Sequence, residues 1–266
     1  MNIISLEKIS STPASFILTK FLPMPKNAVT LLSANGGIGK TRYSLICASQ
    51  HISATGEIVA LWLTEDYKGQ VRAIFDELVK AGLAKAETIS KMMIILDAPP
   101  QLALREGGIF KANYKGFAQI EIDLKANGVK FVVFDPLLAF YGGNENDNSE
   151  ARVFVQTFAE FAKESEITVL IIHHSNKQGR SRGATAFSDG VRCRYEMTPP
   201  VDGEGKTNMD MYNKGLRVLS LEKDNWGAAK HFFKMTDGKE SAIIKISDGN
   251  TESVSPIEII YEMEKI

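Results

Sequence analysis

The sequence predicts an α/β protein with a mostly parallel central sheet that is flanked by helices on both faces. Apolar runs of strand length alternate with amphipathic stretches of helix length through most of the chain. Parallel strands have this apolar character because helices cover them on both sides. Beyond residue 190 the pattern changes to short strand-like runs, most of them separated by few residues. This change predicts antiparallel strands that extend one edge of the sheet.

The parallel part of the sheet is predicted from apolar runs and from the helical patterns between them. The predicted strands are 28–34, 57–65, 91–98, 130–136 and 167–174, and the predicted helices are 40–52, 68–82, 114–127 and 149–165. In the second helix Val71, Ile74, Phe75 and Leu78 recur at the spacing of one helical face. Ser149 is a candidate N-cap for the last helix because a serine hydroxyl can accept a hydrogen bond from the first backbone N–H groups.

The C-terminal part of the chain is predicted as short strands with one long loop among them. The strand-like runs are "VRCRYEM", "LRVLSLEK", "AAKHFFKM" and "SAIIKIS". Residues 199–215, between the first two runs, are polar and contain Gly and Pro, which predicts a mobile loop. Residues 256–265 are a candidate short helix. No internal repeat or linker divides the chain, so we expect one domain over residues 1–266 with its core at about 15–235.

Composition and charge restrict the function classes. The chain has 266 residues, 44% of them hydrophobic, and a formal net charge of −1, so any site for nucleic acid must be local. Its two cysteines, Cys47 and Cys193, lie far apart without a CxxC pairing, which argues against a disulfide scaffold or a zinc site. The start of the chain lacks the build of a signal peptide, and no apolar run approaches the ~20 residues that cross a bilayer. We therefore expect a soluble, cytoplasmic protein without a membrane partner.

Residues 33–41, "SANGGIGKT", match the phosphate-loop pattern G-x-x-x-x-G-K-[ST], with Ala34 in place of the first glycine. Gly36 and Gly37 supply the backbone freedom that lets successive N–H groups turn towards an anion. The Lys40 side chain can reach the β- and γ-phosphates of a nucleotide, and the Thr41 hydroxyl can bind Mg²⁺. A glycine-rich turn without a ligand is the alternative, but it does not explain the Lys-Thr pair at this offset. The predicted ATP-binding residues, called the cradle below, are Ala34, Asn35, Gly36, Gly37, Ile38, Gly39, Lys40 and Thr41.

Carboxylates at the ends of two predicted strands are candidates for metal binding and catalysis. Asp135 ends the run "FVVFD", at the edge of the sheet where ligands collect in such proteins. It is the second predicted magnesium ligand beside Thr41, with capping of the next loop as the alternative. Glu65 could orient a water molecule for attack on the γ-phosphate, whereas "TED" could also cap the helix that starts near Lys68. Both interpretations hold if Glu65 faces the γ-phosphate and Asp66 caps the helix that starts near Lys68.

The motifs together resemble a known family of motor proteins. "SANGGIGKT", "LWLTED", "FVVFDP", "LIIHHSNK", "SRGA" and "LEKDNWG" occur in the order found in RecA-like ATPases of the hexameric-helicase superfamily. Over roughly residues 15–235 the chain resembles plasmid-encoded RepA-type replicative helicases. The resemblance implies a RecA-like P-loop NTPase fold with ATP and Mg²⁺ as cofactors. It also implies a homo-oligomer, expected to be a hexamer, that acts as a helicase in plasmid or phage replication and binds single-stranded DNA. The alternatives are a RecA-like ATPase switch without unwinding activity, in recombination, repair or regulation, and, with less support, a metabolic P-loop kinase.

The resemblance also assigns catalytic roles within the subunit. It implies that Glu65 is the catalytic glutamate and that a polar residue at the end of strand 167–174 senses the γ-phosphate. Neighbouring residues of a strand point to opposite faces, so His173 and His174 cannot both face the nucleotide. Alignment with the glutamine of related helicases selects His174.

Two further residues are implied to act on the neighbouring subunit. Arg182, in "SRGA", matches an arginine finger that acts in trans, and Lys223, in "LEKDNWG", matches a second trans-acting element. Related ring helicases usually have an arginine two residues after that lysine, where this chain has Asn225. A positive group on the transferring phosphoryl can raise the rate by several powers of ten.

The same resemblance points to two loops as candidates for binding single-stranded DNA. Residues 139–152 carry three acidic residues and one basic residue, Arg152, which is a poor composition for contacts with phosphates. Phe140 and Tyr141 could stack on bases, with core packing as the alternative for Phe140. The second loop is 176–183, and its basic residues are Lys177, Arg180 and Arg182.

Overall fold

The structure is a computed structural model that describes residues 4–8, 12–174, 185–228, 230, 234–236 and 239–247. The strands in these ranges are β1 (Phe16–Ile17), β2 (Met24–Pro25), β3 (Val29–Ala34), β4 (Ile58–Leu63), β5 (Met92–Ile94), β6 (Ala103–Glu106), β7 (Ile109–Ala112), β8 (Val129–Asp135), β9 (Tyr141–Gly142), β10 (Thr168–His174), β11 (Cys193–Thr198), β12 (Leu216–Asp224), β13 (Lys234–Thr236) and β14 (Lys239–Lys245). The α-helices are α1 (Lys40–Thr55), α2 (Lys68–Lys80), α3 (Tyr114–Ala126), α4 (Asn148–Ser165), α5 (Thr185–Asp189) and α6 (Met209–Asn213). Short 3-10 helices are Leu6–Lys8, Ala86–Lys91 and Leu137–Phe140.

A large, mostly parallel sheet forms the centre of the described part of the chain. Its strand order is β13-β14-β12-β11-β3-β10-β8-β4-β5. The strands from β11 to β5 are parallel to their neighbours, and β12, β14 and β13 pair antiparallel. The predicted α/β fold with an antiparallel extension is therefore confirmed. One detail differs, because β11 still runs parallel to β3 and the antiparallel part begins only at β12.

The start of α4 differs from its predicted cap. The side chain of Asp147 accepts hydrogen bonds from the backbone N–H groups of Ser149 and Glu150, at 2.8 and 3.2 Å. Ser149 thus lies inside the helix, and its prediction as the N-cap was wrong. Asp and Ser are about equally favourable as N-cap residues, and Asp147 lies two positions before Ser149.

Two segments contain structure that the sequence patterns did not predict. Strands β6, β7 and β9 form a small separate sheet in the order β7-β6-β9, and its hairpin turns at Gly107 and Gly108, which both have positive φ. Residues 199–215, predicted as a mobile loop, hold a bridge between Val201 and Thr207 and helix α6. The predicted helix 256–265 lies outside the described residues.

The hydrophobic core lies on both faces of the sheet. One cluster packs under α1 and α2, and the other packs under α3 and α4. The second cluster is rich in aromatic rings: Phe158 makes edge contacts with Phe117, Phe134 and Phe154 at centroid distances of 5.0 to 5.1 Å. Among the described helices, none combines the length and the hydropathy that a bilayer crossing requires.

Because Phe158 joins three other rings and is fully buried, we expect Phe158→Ala to lower the free energy of unfolding by about 3–5 kcal/mol. The loss combines the missing apolar contacts with the cavity that the truncation leaves. Urea unfolding followed by circular dichroism measures it. Val153→Ala is the matched control, because Val153 lies on the same helix with 36% of its surface exposed. Equal midpoint shifts for the two variants would contradict the central role of this cluster.

Candidate nucleotide-binding site

The cradle joins the end of β3 to the start of α1 at the C-terminal edge of the sheet. Gly37 and Gly39 have φ of 74° and 104°, in the left-handed region that favours glycine. Within the part of the chain that the structure describes, an added Cβ at Gly36 or Gly37 would meet nothing within 4 Å, so no described residue covers this side of the turn. The N-cap of α1 is Gly39, which offers no side chain to its first N–H groups. The positive end of α1 therefore stays available to an anion.

The Lys40 side chain lies across the cradle, with only 7% of the residue exposed. Its Nζ donates to the carbonyls of Ala34 and Asn35 at 3.0 and 2.8 Å and lies 3.3 Å from Nδ1 of His174. Burial lowers the pKa of Lys40, against the opposing effect of Asp135 and Glu65. The ammonium group is thus held at the loop whose backbone would surround the phosphates.

Two carboxylates meet the hydroxyl of Thr41. Its Oγ1 lies 3.1 Å from Oδ2 of Asp66 and 3.4 Å from Oδ2 of Asp135. The sheet register pairs Leu63 with Asp135, so the turn after β4 and the end of β8 lie side by side. Burial raises the pKa of Asp135 to about 7, with contributions from the charges of Asp66 and Glu65, and Lys40 opposes the rise.

This donor set fits a magnesium ion. Mg²⁺ prefers oxygen ligands and is commonly held by one or two carboxylates together with phosphate and water oxygens. Thr41 supplies a hydroxyl, and Asp66 and Asp135 supply two carboxylates that both contact it. No group of three or more His, Cys, Asp or Glu side chains in the described ranges could hold a metal by itself. The nucleotide phosphates and water would therefore complete the coordination.

The contact with Thr41 also corrects the role expected for Asp66. The N-cap of α2 is Tyr67, which makes no side-chain capping hydrogen bond, and the Asp66 carboxylate accepts from Thr41 instead, so the prediction that Asp66 caps this helix was wrong. Asp66 was missed as a site residue because two consecutive carboxylates follow β4, and the sequence does not tell which of them turns towards β8. The structure brings Asp66 to Thr41 and leaves Glu65 nearer His174.

His174 lies between the cradle lysine and Glu65. Its Nε2 is 3.7 Å from Oε2 of Glu65, whose side chain is 67% exposed, while its Nδ1 faces Lys40. Because an ammonium group can only donate, Nδ1 is the acceptor and a neutral ring carries its proton on Nε2. His173 is fully buried and packs against Phe187. Of the two histidines, His174 is therefore the one at the site.

Lys223, one of the two residues predicted to act on a neighbouring subunit, is not part of this cluster. Lys223 stands opposite Arg194 in the register of β12 and β11, and Arg194 stands opposite Leu31 of β3. This register places Lys223 towards the end of the sheet away from the cradle, where its ammonium donates to the carbonyl of Asp189. Arg182 lies outside the described residues, as does the whole candidate DNA loop 176–183.

The other candidate DNA loop, 139–152, is bound to the rest of the protein. Strand β9 pairs with β6, and the buried carboxylate of Glu150 forms an ion pair with Arg105 of the same small sheet and accepts the backbone N–H of Asn144 at 2.8 Å. These contacts, called the clasp below, hold both ends of the loop.

Neither aromatic residue of this loop presents a ring for stacking. Phe140 is fully buried and packs against Trp62 and Phe134. Tyr141 is only 7% exposed and packs against aromatic residues of the hairpin, α4 and α5. The expectation that Tyr141 could stack on bases was wrong, because the small sheet buries the ring.

The comparison with known families agrees with this geometry. A family model described as an AAA domain matches residues 18–180, which is more than half of the chain. The chain belongs to the AAA domain family. It is therefore a P-loop ATPase, related to RecA-like helicases. A search of curated proteins gave no match.

The residues that the family model matches end before the C-terminal strands begin. The matched residues include the cradle, Asp66, Asp135 and His174, so the whole cluster lies inside the match. Strands β11 to β14 and helix α6 come after the match in the chain. The cluster described above thus falls within the matched residues, and strands β11 to β14 follow those residues in the chain.

The raised pKa of Asp135 predicts a pH-dependent stability of the protein without nucleotide or magnesium. The folded pKa of about 7 exceeds the ordinary value of 3.8, so the proton stabilises the fold fully below about pH 4, and this stability is lost as pH rises through about 7. Asp135→Asn cannot ionise. We expect its stability relative to wild type to increase by on the order of 2 kcal/mol between about pH 5 and about pH 8, as measured by urea unfolding.

Asp76→Asn is the control, because Asp76 is an exposed carboxylate of α2 that pairs with Arg72. Its stability relative to wild type should change little over the same pH range. A constant difference between Asp135→Asn and wild type would show that Asp135 keeps its charge throughout and would contradict the buried environment of this site.

Proposed function

We propose that this AAA domain is an ATP-driven motor that forms a homo-oligomeric ring, a hexamer, and moves along single-stranded DNA as a helicase in plasmid or phage replication. The observation that carries the proposal is the line of contacts from Lys40 through His174 to Glu65. The chain continues from His174 directly into residues 176–183, the basic candidate DNA loop. A change in the contacts of His174 can therefore reach that loop through a few residues of backbone.

ATP binding is assigned to the cradle. Backbone N–H groups, the N-terminal end of α1 and the Lys40 ammonium surround the phosphates. Thr41, Asp66 and Asp135 would hold Mg²⁺. When bound, this ion would supply positive charge against the negative charge of the phosphate oxygens. The contacts of both carboxylates with the Thr41 hydroxyl support this assignment.

Hydrolysis is assigned to Glu65. Its exposed carboxylate accepts a proton from a water molecule that attacks the γ-phosphorus, and the bond to the β–γ bridging oxygen breaks. His174, through its Nε2 proton, orients Glu65 or the γ-phosphate. When Lys40 turns from Nδ1 of His174 to the phosphates, the ring loses one of its contacts. This loss is the signal passed to the DNA loop.

Arg182 and Lys223 are assigned to the nucleotide of a neighbouring subunit. Lys223 lies towards the end of the sheet away from its own cradle, so any nucleotide that it contacts belongs to a neighbouring subunit. Arg182 carries the larger share, because Asn225 stands where related rings have an arginine.

A nucleotide-dependent switch without unwinding activity is the second candidate, and a specific observation favours it. The clasp holds the loop 139–152 with an acidic residue buried and both aromatic rings packed inside. One of the two loops expected to grip DNA therefore offers few contacts for it. In a switch, the same cluster would control assembly or partner binding instead.

The contact geometry predicts different outcomes for the two consecutive carboxylates. Glu65→Gln should retain ATP binding and lose at least about 100-fold in turnover, because the base is gone. Asp66→Asn should instead require a higher magnesium concentration for the same turnover. Nucleotide titration and phosphate release measure these effects, with the exposed Glu87→Gln as the matched control. Near-normal turnover in Glu65→Gln would refute its role as the base.

Single-stranded DNA should raise ATP turnover several-fold at low salt, because a DNA motor couples ATP hydrolysis to movement along the bound strand. Oligomer mass, measured with and without ATP, magnesium and DNA, should show a hexamer. Lys40→Ala, which should not bind ATP, is the control for contaminating activity. If long single-stranded DNA leaves turnover unchanged while ATP still changes the oligomer mass, the motor is excluded and the switch is supported.

A further inference from the structure

Arg217, on β12, connects the C-terminal strands to the cradle. Only 6% of the residue is exposed, and its Nε donates to the carbonyl oxygen of Ile38 at 2.9 Å. Strand β11 lies between β12 and β3 and ends at Thr198, opposite Val218. The Arg217 side chain therefore passes the end of β11 to reach the loop after β3.

The guanidinium group is fixed on its other side by the segment around α6. Its Nη1 donates to the carbonyls of Tyr212 and Leu216 at 3.0 and 2.7 Å. Its central carbon lies 3.7 Å from the centre of the Tyr212 ring, in cation–π contact. A planar group held on three sides is an effective anchor, because it loses little freedom when it binds the carbonyl of Ile38.

A second C-terminal contact reaches the next residue of the cradle. A Cβ added to Gly39 would lie 2.2 Å from Cδ1 of Ile246. The backbone N–H of Ile246 donates to the carbonyl of Gly215 at 2.9 Å. Both residues of the Ile38–Gly39 peptide are thus touched by structure that lies beyond the end of the AAA domain match at residue 180.

The Ile38 carbonyl and the Gly39 N–H belong to the same planar peptide group, so a contact with one affects the direction of the other. The C=O and the following N–H of a trans peptide lie in one plane and point in opposite directions. A hydrogen bond that fixes the carbonyl of Ile38 therefore also fixes the direction of the Gly39 N–H. Gly39 has φ of 104°, and without this anchor a glycine peptide can rotate readily between orientations.

We propose that Arg217 is a positioning residue of the cradle: by holding the Ile38 carbonyl, it keeps the Gly39 N–H directed towards the phosphates of the nucleotide. The proposal rests on the proposed function, in which the cradle binds nucleotide phosphates. It assigns the C-terminal strands a part in ATP binding, although no residue of these strands belongs to the phosphate-loop motif.

The test compares Arg217→Met with wild type for two ligands, ATP with magnesium and inorganic tripolyphosphate with magnesium, by calorimetry on the full chain. We expect both affinities to fall by a similar factor, about tenfold or more, because a charged hydrogen bond is lost. Arg217→Lys keeps the charge without the planar donors and should remain weaker than wild type. Arg194→Met is the control, because Arg194 is a half-buried arginine of the neighbouring strand, paired with Glu222.

Circular dichroism and thermal melting establish that each variant is folded at the temperature of the titration. Should Arg217→Met not fold, Tyr212→Leu replaces it, because it removes the ring beside the guanidinium but keeps Arg217, and both affinities should again fall together. A loss for ATP alone would place Arg217 at the nucleoside and overturn the proposal. Unchanged affinities with a lowered melting temperature would show a purely structural role. Failure of wild type to bind either ligand would instead refute nucleotide binding itself.

Discussion

The site depends on one constraint: several backbone N–H groups of a single short loop must point towards the same small volume. Such an arrangement is strained for ordinary residues, and here Gly37 and Gly39 adopt the positive φ values that it needs. The loop is held at one end by β3, deep in the sheet, and at the other by the first turn of α1. The other residues of the site lie around this loop.

The order of the sheet strands brings the charged residues to that loop. Strands β10, β8 and β4 follow β3 along the sheet and are parallel to their neighbours, so their C-terminal ends reach the same edge with His174, Asp135, Glu65 and Asp66. Burial of the Asp135 carboxylate near Asp66 and Glu65 is electrostatically costly, and the raised pKa of Asp135 expresses this cost, which Lys40 reduces. A triphosphate with a divalent cation supplies the missing charges of both signs, which is why the same cluster suits a Mg²⁺-nucleotide.

Two further parts of the molecule act on this edge from different directions. On one side, Arg217 and Ile246 contact the cradle from the C-terminal strands. On the other, the small sheet of β6, β7 and β9 fixes the loop after β8 through the clasp. The contacts of Arg217 and Ile246 affect how the cradle binds nucleotide. The clasp restricts movement of the loop 139–152 when nucleotide binds. Of these two parts, the clasp bears on the choice between a motor and a switch, because it holds one of the two candidate DNA loops.

The sequence by itself determined the features that are local along the chain. The cradle is contiguous, and the apolar runs of the parallel strands and the helical face with Val71 and Leu78 are patterns of neighbouring residues, so the order of amino acids is enough to predict them. The choice between Asp66 and Glu65, the anchor from Arg217 to Ile38 and the burial of Tyr141 were decided only in the tertiary structure. Each depends on which strands become neighbours and on how far their ends extend. Such contacts join residues that are distant in the chain and leave no periodic pattern in it, whereas hydrophobic periodicity reports only which face of an element is buried.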